Sequence, residues 1–385
     1  MKVSKLFTEF FGSEKAGGIV LILCTVISLF ISNTGAGASY ISFWHTDFHG
    51  HSISHWINDG LMAIFFLLIG LELERELYHG ELSSRKNALL PAMAALGGVL
   101  VPAAVYLAFN YGTSTQDGAG IPMATDIAFA IGVMSLLGDR VPASLKIFLT
   151  ALAVMDDLFA ILVIAVFYST GISFLHLGIA LGIFAGLLIL NRLKIRNLVP
   201  YLIAGIALWY FMLQSGVHAS ISGVLLAFAI PFGNGDEKSS SYILQHFLHK
   251  PVAFIILPLF ALANTCILIP ADWLNGMARP VSMGIIFGLV LGKPLGILLF
   301  SRLTVAAGIS ALPGDLTWKH IIGAGLLAGI GFTMSIFVTL LAFSDEETIA
   351  TAKITIMLAS LIAALSGLFC LKAIFRKQNK QQGNA

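Results

Sequence analysis

Apolar residues in this chain gather in long runs separated by short polar joints. A run crosses a hydrocarbon core of about 30 Å when it holds roughly 20 helical residues, at about 1.5 Å of rise each. Twelve such runs are predicted, centred near Ile22, Phe65, Val99, Ala130, Met155, Gly182, Leu208, Leu225, Leu259, Ile286, Ile330 and Leu361. No joint is long enough to separate two soluble domains. The expectation is one transmembrane domain over 1–385, with a short cytoplasmic tail at 376–385.

Composition narrows the class. Of the 385 residues, 57% are hydrophobic and 11% charged, against roughly 25% charged in a soluble domain. A globule of this size has no way to hide so much apolar surface from water. The balance of 22 Lys and Arg against 20 Asp and Glu leaves a net charge of +2, which excludes a nucleic-acid partner. Cys24, Cys266 and Cys370 lie far apart in apolar runs and read as small hydrophobes, not as a disulfide or metal frame.

The bias of Lys and Arg sets orientation. Nineteen of the 22 fall on one side, in the stretches that hold Lys2, Lys5 and Lys15; Arg75, Arg85 and Lys86; Arg140; Arg192; Lys238; Arg302; and Lys372, Lys377 and Lys380. Arg279 and Lys353 fall on the other, and Lys293 lies inside a run. Both termini are therefore expected in the cytoplasm, in keeping with an even number of spans. Lys2, Lys5, the first apolar run and Ala36-Gly37-Ala38 imitate a cleaved signal peptide. The long leader with Glu9 and Glu14 argues for a retained span instead.

Four charges sit where charge is expensive: Asp126 in run 4, Asp156 and Asp157 in run 5, and Lys293 in run 10. Each costs about 2.5–3.5 kcal/mol near mid-membrane. A buried Asp–Lys pair that merely fixes packing seldom repays its desolvation, and would not need three acids for one base. Consecutive helical residues point about 100° apart, so Asp156 and Asp157 face different neighbours. One can meet Lys293 while the other faces a water-filled cavity. A carboxylate so placed holds a proton or a hard cation, but not both, which is the minimal chemistry of cation/proton exchange.

Two runs are expected to be interrupted. Between Pro122 and Gly138 there are too few residues for a straight helix across about 30 Å, so an extended stretch around Thr125-Asp126 is predicted in span 4. In span 11, Gly323, Gly325, Gly329 and Gly331 precede Phe332-Thr333; close helix packing by small residues is the other reading of these glycines. Spans 4 and 11 are seven apart and run oppositely, as do the triplets 3-4-5 and 10-11-12. Interrupted spans at matching places of inverted halves point to a transport site. Half-helix N-termini at mid-depth favour Asp126, and half-helix C-termini favour Lys293.

The segments Trp56–Glu72, Ala124–Ala130, Met155-Asp156-Asp157, Gly216–Ala219, Gly292–Gly296 and Gly329–Phe337 together resemble the bacterial NhaA sodium/proton antiporters across nearly the whole chain. The resemblance implies an all-α polytopic membrane protein of 12 transmembrane helices with inverted repeats (spans 3-5 and 10-12) and two interrupted helices. It implies electrogenic, pH-regulated exchange of cytoplasmic Na⁺ or Li⁺ for external H⁺ across the bacterial inner membrane, with no cofactor and no enzymatic step. Asp157 would be the main ion ligand, with Asp156 as its partner, paired with Lys293 in one state. Thr125 would add an oxygen ligand and Asp126 would balance the crossed helix ends.

Glu72, Arg75 and Glu76 match the family's cation-gathering, pH-responsive cluster, although a solvated helix end with i, i+3 and i, i+4 pairs reads equally well. His218 matches a pH-responsive position, and a hydrogen-bonded packing histidine is the plainer reading. Asp59 reads as a helix-end polar group. His246 and His249, expected in a cytoplasmic joint, lack a third metal ligand. Tyr242 and Gln245 depart from the family's basic and acidic residues there, which leaves the pH set point open. The outer joint at about 45–54, a dimerising hairpin in the family, is short here. His49-Gly50 can still turn it, so a homodimer remains open, with lipid as the other partner.

Rival functions fit less well. A light-driven pump would share a buried Lys with Asp counter-ions, but twelve spans and Pro294 speak against it. Intramembrane aspartyl proteolysis needs two facing Asp, which the neighbours Asp156 and Asp157 cannot be, although Asp126 could face either. A Na⁺-coupled symporter of organic anions on a similar fold is the nearest alternative.

Overall fold

The computed structural model describes the backbone of residues 5–80, 85–169, 171–233, 235–270 and 272–382, with side chains over 16–80, 88–138, 140–169, 171–233, 235–270 and 272–376. Lys2, Lys5, Lys15, Glu9, Glu14, Arg85, Lys86, Lys377 and Lys380, used above for orientation, lie outside the described side chains.

The described chain is almost entirely helical. Seven helices are long and apolar enough to cross a membrane: Ile53–Tyr78, Ala88–Asn110, Ala143–Phe167, Phe174–Arg192, Ser240–Asn264, Pro280–Ala306 and Glu346–Arg376. Two bent pairs raise the number to nine, Ala16–Ser32 with Gly37–Trp44 at 120° and Trp318–Ala328 with Phe332–Ala342 at 49°. This is a multi-pass membrane protein. The other expected runs form shorter helices, Ile127–Ser135, Leu198–Gln214 and Ile221–Ala229. Ile221–Ala229 stops because Pro231 holds Ile230 extended, at ψ 137°. The last helix runs on to Gln382, into the tail that begins at Arg376.

The chain divides into two compact units. The first comprises Met1–Leu23, Ser84–Ala160 and Ile267–Ala385. Along the chain the order long helix, broken helix, long helix occurs twice: Arg85–Asn110, the segment 116–135 and Ala143–Phe167, then Pro280–Ala306, the pair Trp318–Ala342 and Glu346–Gln382. Helix Arg85–Asn110 lies along Lys293–Ala306. A Cβ at Gly97 or Gly296 would run into the other's backbone, so both positions must be glycine for the helices to approach this closely.

The second unit comprises Cys24–Ser83 and Ile161–Cys266. Met62–Tyr78 packs on Ile221–Ala229. Phe174–Arg192 turns most of its surface outward, with Phe174 83% exposed, the pattern of a lipid-facing helix. The joint after Trp44 forms the expected hairpin, Asp47–Phe48 antiparallel to His51–Ser52. His49 and Gly50 both have positive φ, 55° and 85°, as a two-residue turn of this hand requires.

Three membrane helices contain a π-helical turn, at Trp56–Leu61, Val252–Ile256 and Gly288–Gly292. Two have a visible cause. Pro258 and Pro294 bring no N–H to the carbonyl four residues back, so the turn before each proline widens. The turn at Gly288–Gly292 delivers Lys293 as the next residue.

Candidate ion-binding site

The two interruptions in the first unit meet. Helix Ile127–Ser135 starts after Asp126, whose φ of −79° and ψ of 98° are extended. The second break lies at Gly329–Gly331, between Trp318–Ala328 and Phe332–Ala342. The N–H of Asp126 donates to Ile330 O at 2.7 Å, which ties one break to the other.

Each half-helix leaves backbone groups without helical partners. The Asp126 carboxylate serves two N-termini at once. Its Oδ1 accepts from Phe129 N–H at 2.9 Å, and its Oδ2 accepts from the N–H and hydroxyl of Thr333 at 3.0 and 2.6 Å. One negative charge thus offsets the positive ends of both half-helices. Basic and hydroxyl groups meet the opposite ends: the Lys293 ammonium donates to Met123 O, and the Thr125 hydroxyl lies 2.9 Å from Ala328 O.

Lys293 also pairs with Asp156, Nζ to Oδ2 at 2.7 Å, both side chains fully buried. Thr125 Oγ1 lies 2.6 Å from the same Asp156 oxygen. The hydroxyl has one proton and two acceptors, Asp156 Oδ2 and Ala328 O, so at any moment it serves one of them. Asp157, one residue on, is fully buried, and neither of its oxygens finds a hydrogen-bond donor among the described residues. Asp156 Oδ1 is likewise unpartnered. Buried polar atoms normally have partners. Three orphaned carboxylate oxygens on neighbouring residues are the chemistry of a site for a proton or a hard cation.

The structure therefore brings Thr125, Asp126, Asp156, Asp157 and Lys293 together, with Asp156 and not Asp157 on Lys293. The remaining candidates belong to the second unit. Glu72 is 6% exposed and faces His249, Oε1 to Nδ1 at 3.5 Å. This corrects the solvated-helix-end reading for Glu72. His249 was expected in a joint, but it lies in helix Ser240–Pro251, part of the span Ser240–Asn264, so that span begins earlier than the apolar run suggested. The Arg75 guanidinium lies over the Tyr242 ring, 5.9 Å from its centre, and Gln245 is buried nearby in sequence. Glu76 follows one residue later on the same helix.

His218 sits between two helices, its Nε2 3.1 Å from Tyr168 O. Burial pulls its imidazole below the usual histidine range, against the opposing pull of Asp59 and of the carbonyl bond. Both readings of His218 are thus visible in its surroundings, a hydrogen-bonded packing position beside a carboxylate.

Sequence reasoning missed two residues that contact the candidates, and one buried carboxylate. Thr333 was noted only as the residue after a glycine-rich stretch, yet it supplies two of the donors on Asp126. His249 gave a weak signal, since its partner is distant in sequence. Glu74, buried at 5% exposure, gave none, because charge at a helix end ordinarily faces water.

Comparison with known proteins follows the same line. The model of the family described as Na⁺/H⁺ antiporter 1 matches residues 8–371. The Na⁺/H⁺ antiporter NhaA 1 of Flavobacterium johnsoniae is 66% identical over 374 residues, covering 97% of this chain and 98% of that protein. The Na⁺/H⁺ antiporter NhaA of Flavobacterium psychrophilum is 62% identical over 376 residues, 98% of each. Among solved structures, the sodium proton antiporter MjNhaP1 of Methanocaldococcus jannaschii superposes with a TM-score of 0.54 over 95% of this chain and 98% of that one. At 16% identity that likeness speaks to the fold alone.

Proposed function

Because the chain belongs to the Na⁺/H⁺ antiporter 1 family, we propose that it exchanges cytoplasmic Na⁺ for external H⁺, with Asp157 as the shared binding group. The observation that carries this reading is the Asp157 carboxylate, fully buried with both oxygens unpartnered, beside a neighbour already held by Lys293. A proton on Asp157 removes the charge that a Na⁺ requires, and a bound Na⁺ leaves no place for the proton. Each ion evicts the other.

Charge accounting extends the proposal. Asp156, Asp157 and Lys293 carry one net negative charge, which one Na⁺ neutralises. Two protons on the same three groups leave one net positive charge. Exchange of two H⁺ for one Na⁺ is therefore electrogenic and is driven by the membrane potential. When Na⁺ arrives, Asp156 Oδ1 and the Thr125 hydroxyl are the oxygens nearest to hand, and Lys293 gives up part of its claim on Asp156. Li⁺ is a second cargo of the same hard-oxygen site. Asp126 stays charged throughout, because both half-helix N-termini depend on it.

The twice-repeated order of long, broken and long helices supports inverted repeats of spans 3-5 and 10-12 within a twelve-span domain. The Lys and Arg bias supports cytoplasmic termini, a bacterial inner-membrane location and a short cytoplasmic tail at 376–385. Glu72, Arg75 and Glu76, with His249 added and His218 at the other face, form the pH-responsive set. The Asp47–Ser52 hairpin supports a homodimer in lipid. No cofactor and no enzymatic step enter the cycle.

Everted vesicles loaded with a quenched pH dye test the core. Na⁺ addition should dequench the dye with the wild type and leave it unchanged with Asp157→Asn, whose amide neither titrates nor carries charge. Wild-type-like dequenching by the variant would remove Asp157 from the mechanism. Na⁺ uptake without proton counterflow would favour the symporter.

A further inference from the structure

The start of helix Ile53–Tyr78 carries titratable groups that the exchange site leaves unused. Ser52 caps this end, its Oγ accepting from His55 N–H at 3.2 Å. One turn on, His55 Nδ1 lies 3.2 Å from Asp59 Oδ2. The strand residue His51 lays its ring on that of His55, with centres 4.2 Å apart and planes 18° apart. Exposure falls inward along the series, from exposed His51 to His55 at 37% and Asp59 at 18% of the side chain.

The surrounding contacts hold this turn in place without occupying the carboxylate. Trp209 Nε1–H donates to the backbone oxygen of Asp59 at 2.9 Å, and Asn264 donates to Asn58 at 2.7 Å. The titratable groups acting on Asp59 are His55 on its own helix, His218 from the segment between helices Leu198–Gln214 and Ile221–Ala229, and His51 from the hairpin. A proton taken up by the stacked rings lies between a carboxylate and a second imidazole. The stacked ring centres are 4.2 Å apart, close enough for a charge on one ring to act on the other. Imidazole is the side chain that exchanges protons in the physiological range.

We infer that His51, His55 and Asp59 form a proton-collecting site at the outer face, which gathers the external protons consumed by exchange. The inference rests on the antiporter reading and on the outward placement of this helix end. It assigns the substrate proton a first docking point in a place where the residues otherwise read as a helix terminus.

The test uses the full-length protein in oriented proteoliposomes, with external pH varied at fixed internal pH. His55→Gln and the double variant His51→Gln/His55→Gln should shift the external-pH midpoint of Na⁺ efflux toward acid by about one unit. Half-saturation by Na⁺ on the cytoplasmic side should not move. A double variant with the wild-type external-pH profile overturns the inference while leaving antiport intact; a wild type that exchanges no Na⁺ for H⁺ is instead a failure of the antiporter reading. NMR titration of the ring nitrogens supplies a second measurement that needs no transport. His51 and His55 should titrate as a coupled pair, and Asp59→Asn should alter the curve of His55. Independent curves, insensitive to that substitution, overturn the inference as well.

Discussion

Charge is buried in both units of this protein, and the two solve the same difficulty by different means. In the first, Asp126, Asp156 and Lys293 are compensated by fixed groups: half-helix ends, a hydroxyl and one another. In the second, Glu72 faces an imidazole and Arg75 faces an aromatic ring. Half-helix ends cannot titrate, so Asp126 is held by a fixed arrangement, while both oxygens of Asp157 lack a hydrogen-bond donor among the described residues. The second arrangement sets a carboxylate against an imidazole, a titratable side chain. On the proposed reading, the difference separates a site that binds an ion from one that responds to its surroundings.

The comparison breaks most sharply at Asp126. Asp126→Ala strands the Thr333 and Phe129 N–H groups at two helix starts, at about 1–3 kcal/mol for each buried donor left unpaired. Asp126→Asn keeps an acceptor oxygen and should cost less. Thermal unfolding followed by size-exclusion chromatography in detergent checks the order, and equal loss in both variants would mean that charge, not capping, matters there.

Lys293→Ala comes next. It leaves Asp156 with Thr125 alone, so protons compete better with Na⁺ and the activity profile should move to more alkaline pH. An unmoved profile in the same vesicle assay would take Lys293 out of the ion competition. Glu72→Gln should have a smaller effect, flattening the pH dependence of exchange while Na⁺ affinity at saturating pH is retained. If Na⁺ affinity falls instead, Glu72 belongs with the binding groups, and the contrast drawn between the two units fails.

The smallest effect concerns stability at His218. Its imidazole is held below the usual value of about 6.5 by burial. The unfolded chain therefore takes up a proton first as pH falls through that value, and stability declines until the folded state is protonated too. Above it the group is neutral in both states and contributes no pH dependence. His218→Gln should narrow the difference in melting temperature between pH 8 and pH 5.5, and a widened difference would reverse the sign argued here.

Much of this was legible from residue types alone. Asp126, Asp156, Asp157 and Lys293 stand out because a charge in an apolar run is costly whatever the fold. The break at Thr125-Asp126 was visible because the run is too short, and the break at Gly329–Gly331 from its glycines. Hidden were the features that depend on a distant partner. That Asp126 would be shared by Thr333, or Glu72 by His249, follows from how helices are laid side by side, which periodicity does not encode. The π turn ahead of Lys293 was half legible. Pro294 announces a missing hydrogen bond, but not whether the chain answers by kinking or by widening.

Thr125 can lend its hydrogen to a carboxylate or to the last carbonyl of a half-helix, never to both together. Any cation that takes over the carboxylate frees that hydrogen to steady the helix terminus, and departure of the cation reclaims it. On the proposed reading, cargo occupancy and the hold on that helix terminus alternate, through a group that bears no charge of its own.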